Sequence, residues 1–184
     1  MLRIKKTHLS ILLGSLLCFN SCSKDAGLTK ATQEGANTFS CKVNGKKYIP
    51  AVSLFGGDPI YSQYRLDPFI SGTNKLIIGT TVPSNPVQHI SITIYGCDKT
   101  GVYDLNEDTL YKIDAEYDLN AGGYNAYAKV YINKKGSSGQ VEITKLDKIR
   151  KIVSGTFSFK LTDENNISNT VSIERGRFDL KYDQ

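Results

Sequence analysis

The chain has 184 residues, 22% of them charged and 10% aromatic, with a formal net charge of +5. Much of that surplus sits in the first eight residues, so no clustered basic face is left for a nucleic-acid partner. The two histidines and the four cysteines form no Cys-x-x-Cys or His pair. A closed zinc site therefore lacks its ligands, and neither a metal nor a cofactor is expected.

Residues 1–8, MLRIKKTH, carry Arg3, Lys5 and Lys6 and no acid; the uncharged run LSILLGSLLCF follows over 11 residues. A positive head, a short apolar body and a small residue before a cut describe an export signal. The run is shorter than the roughly 20 apolar residues that cross a bilayer. Ser21 is the small residue that a lipoprotein signal places before its modified cysteine, whereas Leu17 before Cys18 is not. Residues 1–21 are thus expected to be a lipoprotein signal peptide and Cys22 the lipidated first residue, with an ordinary secretory signal as the plainer alternative. Each buried methylene adds about 0.8 kcal/mol of membrane affinity, so several acyl chains anchor the protein durably. Processing removes three of the 23 basic residues and leaves 20 against 18 acids, a net +2 over 163 residues. That length suits one domain with a real core.

Residues 22–37, beginning at the lipidated cysteine and continuing SKDAGLTKATQEGAN, are small, polar and aperiodic, the composition of a flexible tether. Lys24-Asp25 is similar to the Lys-plus-acid signals of surface lipoproteins, but Ala26 breaks the match. An outer-membrane location is expected, with the periplasmic and surface-exposed faces both open.

From Thr38 to Gln184 the chain reads as strands. TFSCKVNGKKYI is a hairpin around Asn44-Gly45, the pair that best tolerates positive φ in a two-residue turn. QHISITIY puts Ile90, Ile92 and Ile94 on one face, and LYKIDAEY does the same with Tyr111, Ile113, Ala115 and Tyr117. In VSGTFSFKL the apolar phase is Val153, Phe157, Phe159 and Leu161. In TVSIERGRFDLKY it passes from Val171 and Ile173 to Phe178, Leu180 and Tyr182, a change of parity that needs a bulge near Arg175-Gly176. Further strands are expected at 75–82, 101–105, 124–132 and 139–146. The fold class is all-β, an antiparallel β-barrel or two-sheet sandwich of nine to ten strands, with a lipocalin-like barrel as one form of closure. Residues 51–74 read as a long irregular connection rich in aromatics, a kind of segment that is often functional. Cys41 lies in a core phase, and Cys97 has the opposite parity unless Gly96 breaks the register; the two are either a disulfide or two buried thiols.

The head ending in SCSKD, the stretch GANTFSCKVNGKKYIP, the stretch KIVSGTFSFKLTDENN and the terminal GRFDLKY together resemble a family of Bacteroidota lipoproteins of unknown function. The resemblance implies a cell-envelope β-domain and carries no catalytic residue with it.

Candidates for chemistry are few. His89 is the one histidine left after processing and falls on a polar strand face, with no Gly-x-Ser-x-Gly turn to serve it. Asp104, Glu107, Asp108, Asp114 and Glu116 are close in sequence, as a glycosidase pair would be, but such acids also simply solubilise a sheet. DLNEDTLYKIDA begins like a calcium loop, then has Thr109 where glycine is needed and Ala115 where a bidentate glutamate is needed. The tetrapeptide Tyr-Asp-Leu-Asn at 103–106 recurs at 117–120 without matching flanks.

In YNAYAKVYI, Tyr127, Lys129 and Tyr131 alternate with an alanine-valine face. If that face is core, the tyrosines stand outside and, with Phe55, Tyr61, Tyr64 and Phe69, form a binding surface, since tyrosine pairs an apolar ring with a wet hydroxyl. A cross-strand tyrosine pair that covers the sheet is the plainer reading. The absence of tryptophan weighs against glycan binding.

The expected function is a non-enzymatic, lipid-anchored binding module of the cell envelope. Its partner is an envelope protein, a glycan or a small apolar ligand; a lipocalin-like carrier is the second reading. The inward phases supply Phe39, Ile92, Phe157, Phe159 and Phe178, which favours a filled interior over a carrier's cavity.

Overall fold

The computed structural model describes residues 27–51, 57–68, 70–105, 113–119, 129–134 and 136–184. The regular elements among them are eleven strands: β1 (Thr38–Val43), β2 (Lys46–Tyr48), β3 (Ile60–Leu66), β4 (Asn74–Val82), β5 (Gln88–Ile94), β6 (Gly101–Asp104), β7 (Ile113–Leu119), β8 (Lys129–Ile132), β9 (Ser138–Asp147), β10 (Ile152–Asp163) and β11 (Thr170–Lys181). Among the described residues no helix is long and apolar enough to cross a membrane.

The strands form one curled sheet, a half-barrel, and not two stacked sheets. Its path runs β2-β1-β11-β10-β8-β7-β5-β4-β3, and the pair β9-β6 branches off β10. The branch exists because β10 is long: Ile152–Lys160 pairs with β9, while Thr162 and Asp163 pair with β8. At the far end β3 meets the C-terminal tail. Gln63 bridges Asp183 in parallel, and the Tyr64 amide donates to the Asp183 carbonyl at 2.8 Å. The edge of β3 is therefore partly covered, which limits strand addition from other chains.

Local chemistry accounts for the turns and the bulge. Asn44 and Gly45 take φ of 48° and 77°, closing the β1–β2 hairpin as the sequence predicts. In β11, Arg177 pairs with Ser40 but Glu174 pairs with Lys42, so one extra residue is taken up at Arg175-Gly176, and Arg175 has φ 54°. That residue lets Ile173 and Phe178 both face the core despite their odd spacing. Gly96, at φ 66°, similarly turns Cys97 inward.

The inner face is filled by rings. Phe157 lies 5.0 Å from Phe39, 5.6 Å from Phe159 and 6.3 Å from Phe178 between centroids, and Tyr48 stands edge-on to Phe39 at 6.1 Å. Gly176, directly opposite Phe157, leaves the room for that ring; a Cβ there would overlap it.

Two expectations are corrected. Residues 51–74 contain β3, so the irregular connection is shorter than predicted. The alternation was masked because Ser62 faces inward while Tyr61 and Leu66 are exposed. Within the expected tether, residues 27–37 are a strap laid over the outer face of β1, β10 and β11, and not a free linker. Asp179, 1% exposed, holds it. Its carboxylate accepts the Thr32 hydroxyl at 2.6 Å and the amides of Glu34, Gly35 and Ala36 at 2.9, 2.8 and 3.2 Å, and the Ser154 hydroxyl of β10 at 2.7 Å. Thr29 binds Ser40 at one end of the strap, and the Lys181 amide donates to Asn37 at the other.

Burial alone would raise the Asp179 pKa, but the hydrogen bonds to the charged form outweigh it and hold the group down to about 2. Such a group stabilises the fold fully above an unfolded-state pKa of about 4 and loses that contribution as acid approaches the folded-state value. Asp179→Asn should cost on the order of 3 kcal/mol, because charged hydrogen bonds are lost and strap donors are left unmatched. For a domain of this size, that corresponds to a thermal midpoint lower by roughly 6–12 °C. Denaturation from pH 7 down to pH 2 should also show a shallower acid loss in the variant; an unchanged midpoint and acid profile would contradict the assignment.

Candidate functional site

Among the described residues, Tyr61, Tyr64 and Tyr131 do not share one exposed surface. Phe55, Phe69 and Tyr127 lie outside the described residues. Tyr64 is core: it is 5% exposed, packs 5.1 Å from Tyr182 and donates its hydroxyl to Asp98 at 3.2 Å. Tyr131 is half-buried and pairs directly with buried Tyr117, ring to ring at 6.0 Å, so it leans on the core side and not outward. The expected phase fails because paired residues share a face, and Tyr117 fixes that face as the inner one. Lys129 is exposed at the strand start. Tyr61 is 48% exposed, with its ring lying over Gly79 of β4, directly opposite.

Other candidates are also dispersed. Cys41 and Cys97 are both buried free thiols. Asp104 sits on the β6 branch, away from Asp114 and Glu116 on β7, while Glu107 and Asp108 lie outside the described residues, as does much of the calcium-like loop. Among the described residues no group of three His, Cys, Asp or Glu side chains could hold a metal ion. His89 stands opposite Asp118 across β5 and β7. Burial raises the Asp118 pKa, His89 works against that rise, and the Asp118 Oδ1 atom is buried without a hydrogen-bond partner among the described residues.

A different feature emerges on the outer face, where the strap crosses β9, β10 and β11. A cleft of about 430 Å³ is lined by Ala31, Gln140, Thr156, Ser158, Arg175 and Arg177, and also by Phe157 and Gly176. A second, of about 260 Å³, adjoins it and shares Ala31, Thr156 and Arg177, with Lys30 and Gln33 of the strap added. Each lining group has a local cause. The bulge turns Arg175 out of the regular alternation. Arg177 donates to the Thr29 carbonyl at 3.2 Å, which ties it to the strap. Thr156 and Ser158 are the outward positions of a strand whose Phe157 and Phe159 face inward. Glu174 and Glu142 are exposed nearby; Glu174 accepts the Ser172 hydroxyl at 2.8 Å.

Two permanently charged guanidinium groups with hydroxyl and amide donors have the chemistry that suits an oxyanion such as a phosphate or carboxylate. The pair Arg175 and Arg177 was visible in the sequence only as the flank of a bulge. The strap that walls the cleft left no apolar pattern to read.

A family model described as a domain of unknown function (DUF6252) matches residues 69–179, and the chain belongs to that family. The matched span begins after β3 and takes in Arg175, Arg177 and Asp179. No curated protein and no solved structure matches the chain.

Burial holds the Cys97 thiol up at about 12 and raises Cys41 as well. Iodoacetamide at pH 8 should therefore leave both unmodified in the native protein and modify both in guanidinium without any reductant. Recovery of a linked Cys41–Cys97 peptide pair would contradict the free-thiol assignment.

Proposed function

We propose that this member of the family is a lipid-anchored module of the cell envelope that binds through its outer face and carries out no reaction. The observation that carries the reading is the contrast between the two faces of the sheet. The inner face is occupied by Phe39, Tyr48, Phe157, Phe159 and Phe178, whereas the arginine-lined cleft opens outward. A carrier of a small apolar ligand needs an internal cavity, so the ring-filled interior favours the module over the lipocalin-like reading. The module is acylated at Cys22 after removal of residues 1–21 and stands at the outer membrane, as in the Bacteroidota lipoproteins it resembles. The cleft's charge makes an anionic group, and not an apolar molecule or an uncharged glycan, the suitable ligand.

Mass spectrometry of the protein purified from membranes should show a first residue Cys22 bearing acyl chains. Cys22→Ala should give an unprocessed or soluble product without that mass. A wild-type protein cut elsewhere and free of lipid would end the anchored reading.

A further inference from the structure

The strap places the anchor. Its first described residue, Gly27, lies against the Lys47 ammonium of β2; a side chain at Gly27 would overlap it. Five peptide steps separate Cys22 from Gly27, and even fully extended they span no more than about 18 Å. If Cys22 is lipidated, as the proposed function holds, the β1–β2 hairpin is therefore tied close to the headgroup layer of its own membrane. A tether of 16 free residues would have allowed many orientations; the docked strap leaves few.

The face brought down in this way is basic. Lys47 is exposed and stands opposite Lys42 on the outer side of the hairpin, whereas Lys46 pairs with inward-facing Val43 and belongs to the other side. Lys30 is exposed on the strap, and Arg175 and Arg177 line the cleft beside it. The acids of the same region are Glu174, opposite Lys42, and Glu34 on the strap; on the far side of the cleft from the hairpin, Glu142 and Asp104 stand opposite the lining residues Thr156 and Gln140. The processed chain has a surplus of only two positive charges, so this concentration is a local asymmetry and not a general basicity.

We infer that this face rests on anionic phospholipid headgroups, with Lys30, Lys42 and Lys47 against the surface and the Arg175–Arg177 cleft receiving a headgroup phosphate. The inference rests on lipidation at Cys22 and adds to it an orientation and a ligand. Electrostatic attraction near a charged bilayer decays within a Debye length of about 8–10 Å, which is why the short leash matters.

The test uses the full-length lipidated protein reconstituted into vesicles of phosphatidylcholine alone, or of phosphatidylcholine with phosphatidylglycerol. Amine acetylation is followed by mass spectrometry at Lys30 and Lys47, with exposed Lys148 as the internal reference. These two lysines should react at least about fivefold more slowly on the anionic vesicles, the factor expected for one basic residue at such a surface. The difference should vanish in 0.5 M salt, while Lys148 should react alike throughout. Charge reversal by Lys30→Glu with Lys47→Glu should remove the lipid-dependent hydrogen-exchange protection of residues 42–48. Equal rates on both vesicle types, with acylated Cys22 present and the protein retained on the vesicles, would overturn the docking face and leave the anchor standing. Protein that carries no acyl group and leaves the vesicles would sink both.

Discussion

The buried carboxylate of Asp179 is the constraint from which the outer face follows. A charge removed from water is costly unless each oxygen is matched by donors, and here four of the five come from the strap. The fifth, Ser154, belongs to β10, so one side chain ties three segments together. Without the strap, Asp179 and Ser154 would be left on an open sheet surface. Without Asp179, the amides of residues 34–36 would lose their acceptor. The cleft and the basic side chains beside it both depend on the strap lying where this carboxylate holds it.

Beneath that clamp, the pairing of β10 with β11 organises the sheet. β10 pairs along its length with β11 on one side and with β9 and then β8 on the other. The bulge at Arg175-Gly176 serves both faces at once. Inside, it keeps Ile173 and Phe178 in the core and leaves the glycine space that Phe157 fills. Outside, it turns Arg175 towards the cleft. A structural device that corrects strand parity is thus also what sets the spacing of the two guanidinium groups.

The strand elements with clean alternation were legible in the sequence: Ile90, Ile92 and Ile94 in β5, the Asn44-Gly45 turn, and the parity jump in β11. β3 was not, because its inward positions include Ser62, which donates to the Lys181 carbonyl, while Tyr61 and Leu66 face outward. The phase of β8 was misread because the alanines at 126 and 128 suggest a core face, whereas the register is set by Tyr117 opposite Tyr131. The strap was read as a tether because it is held by hydrogen bonds from Thr32 and three amides, and hydrogen bonding of this kind leaves no hydrophobic period. The cleft was hidden for the same reason, since one of its walls is that strap.

The central claim is that residues 27–37 are part of the folded domain. It is tested most directly by comparing the thermal unfolding of two truncated chains, one beginning at Gly27 and one at Asn37. The chain from Gly27 should melt cooperatively, at the same temperature as the full-length chain. The chain from Asn37 keeps every strand yet strips four of the five donors from Asp179, and it should melt at a clearly lower temperature. Equal midpoints for the two would show that the strap contributes nothing to the fold and would contradict the account.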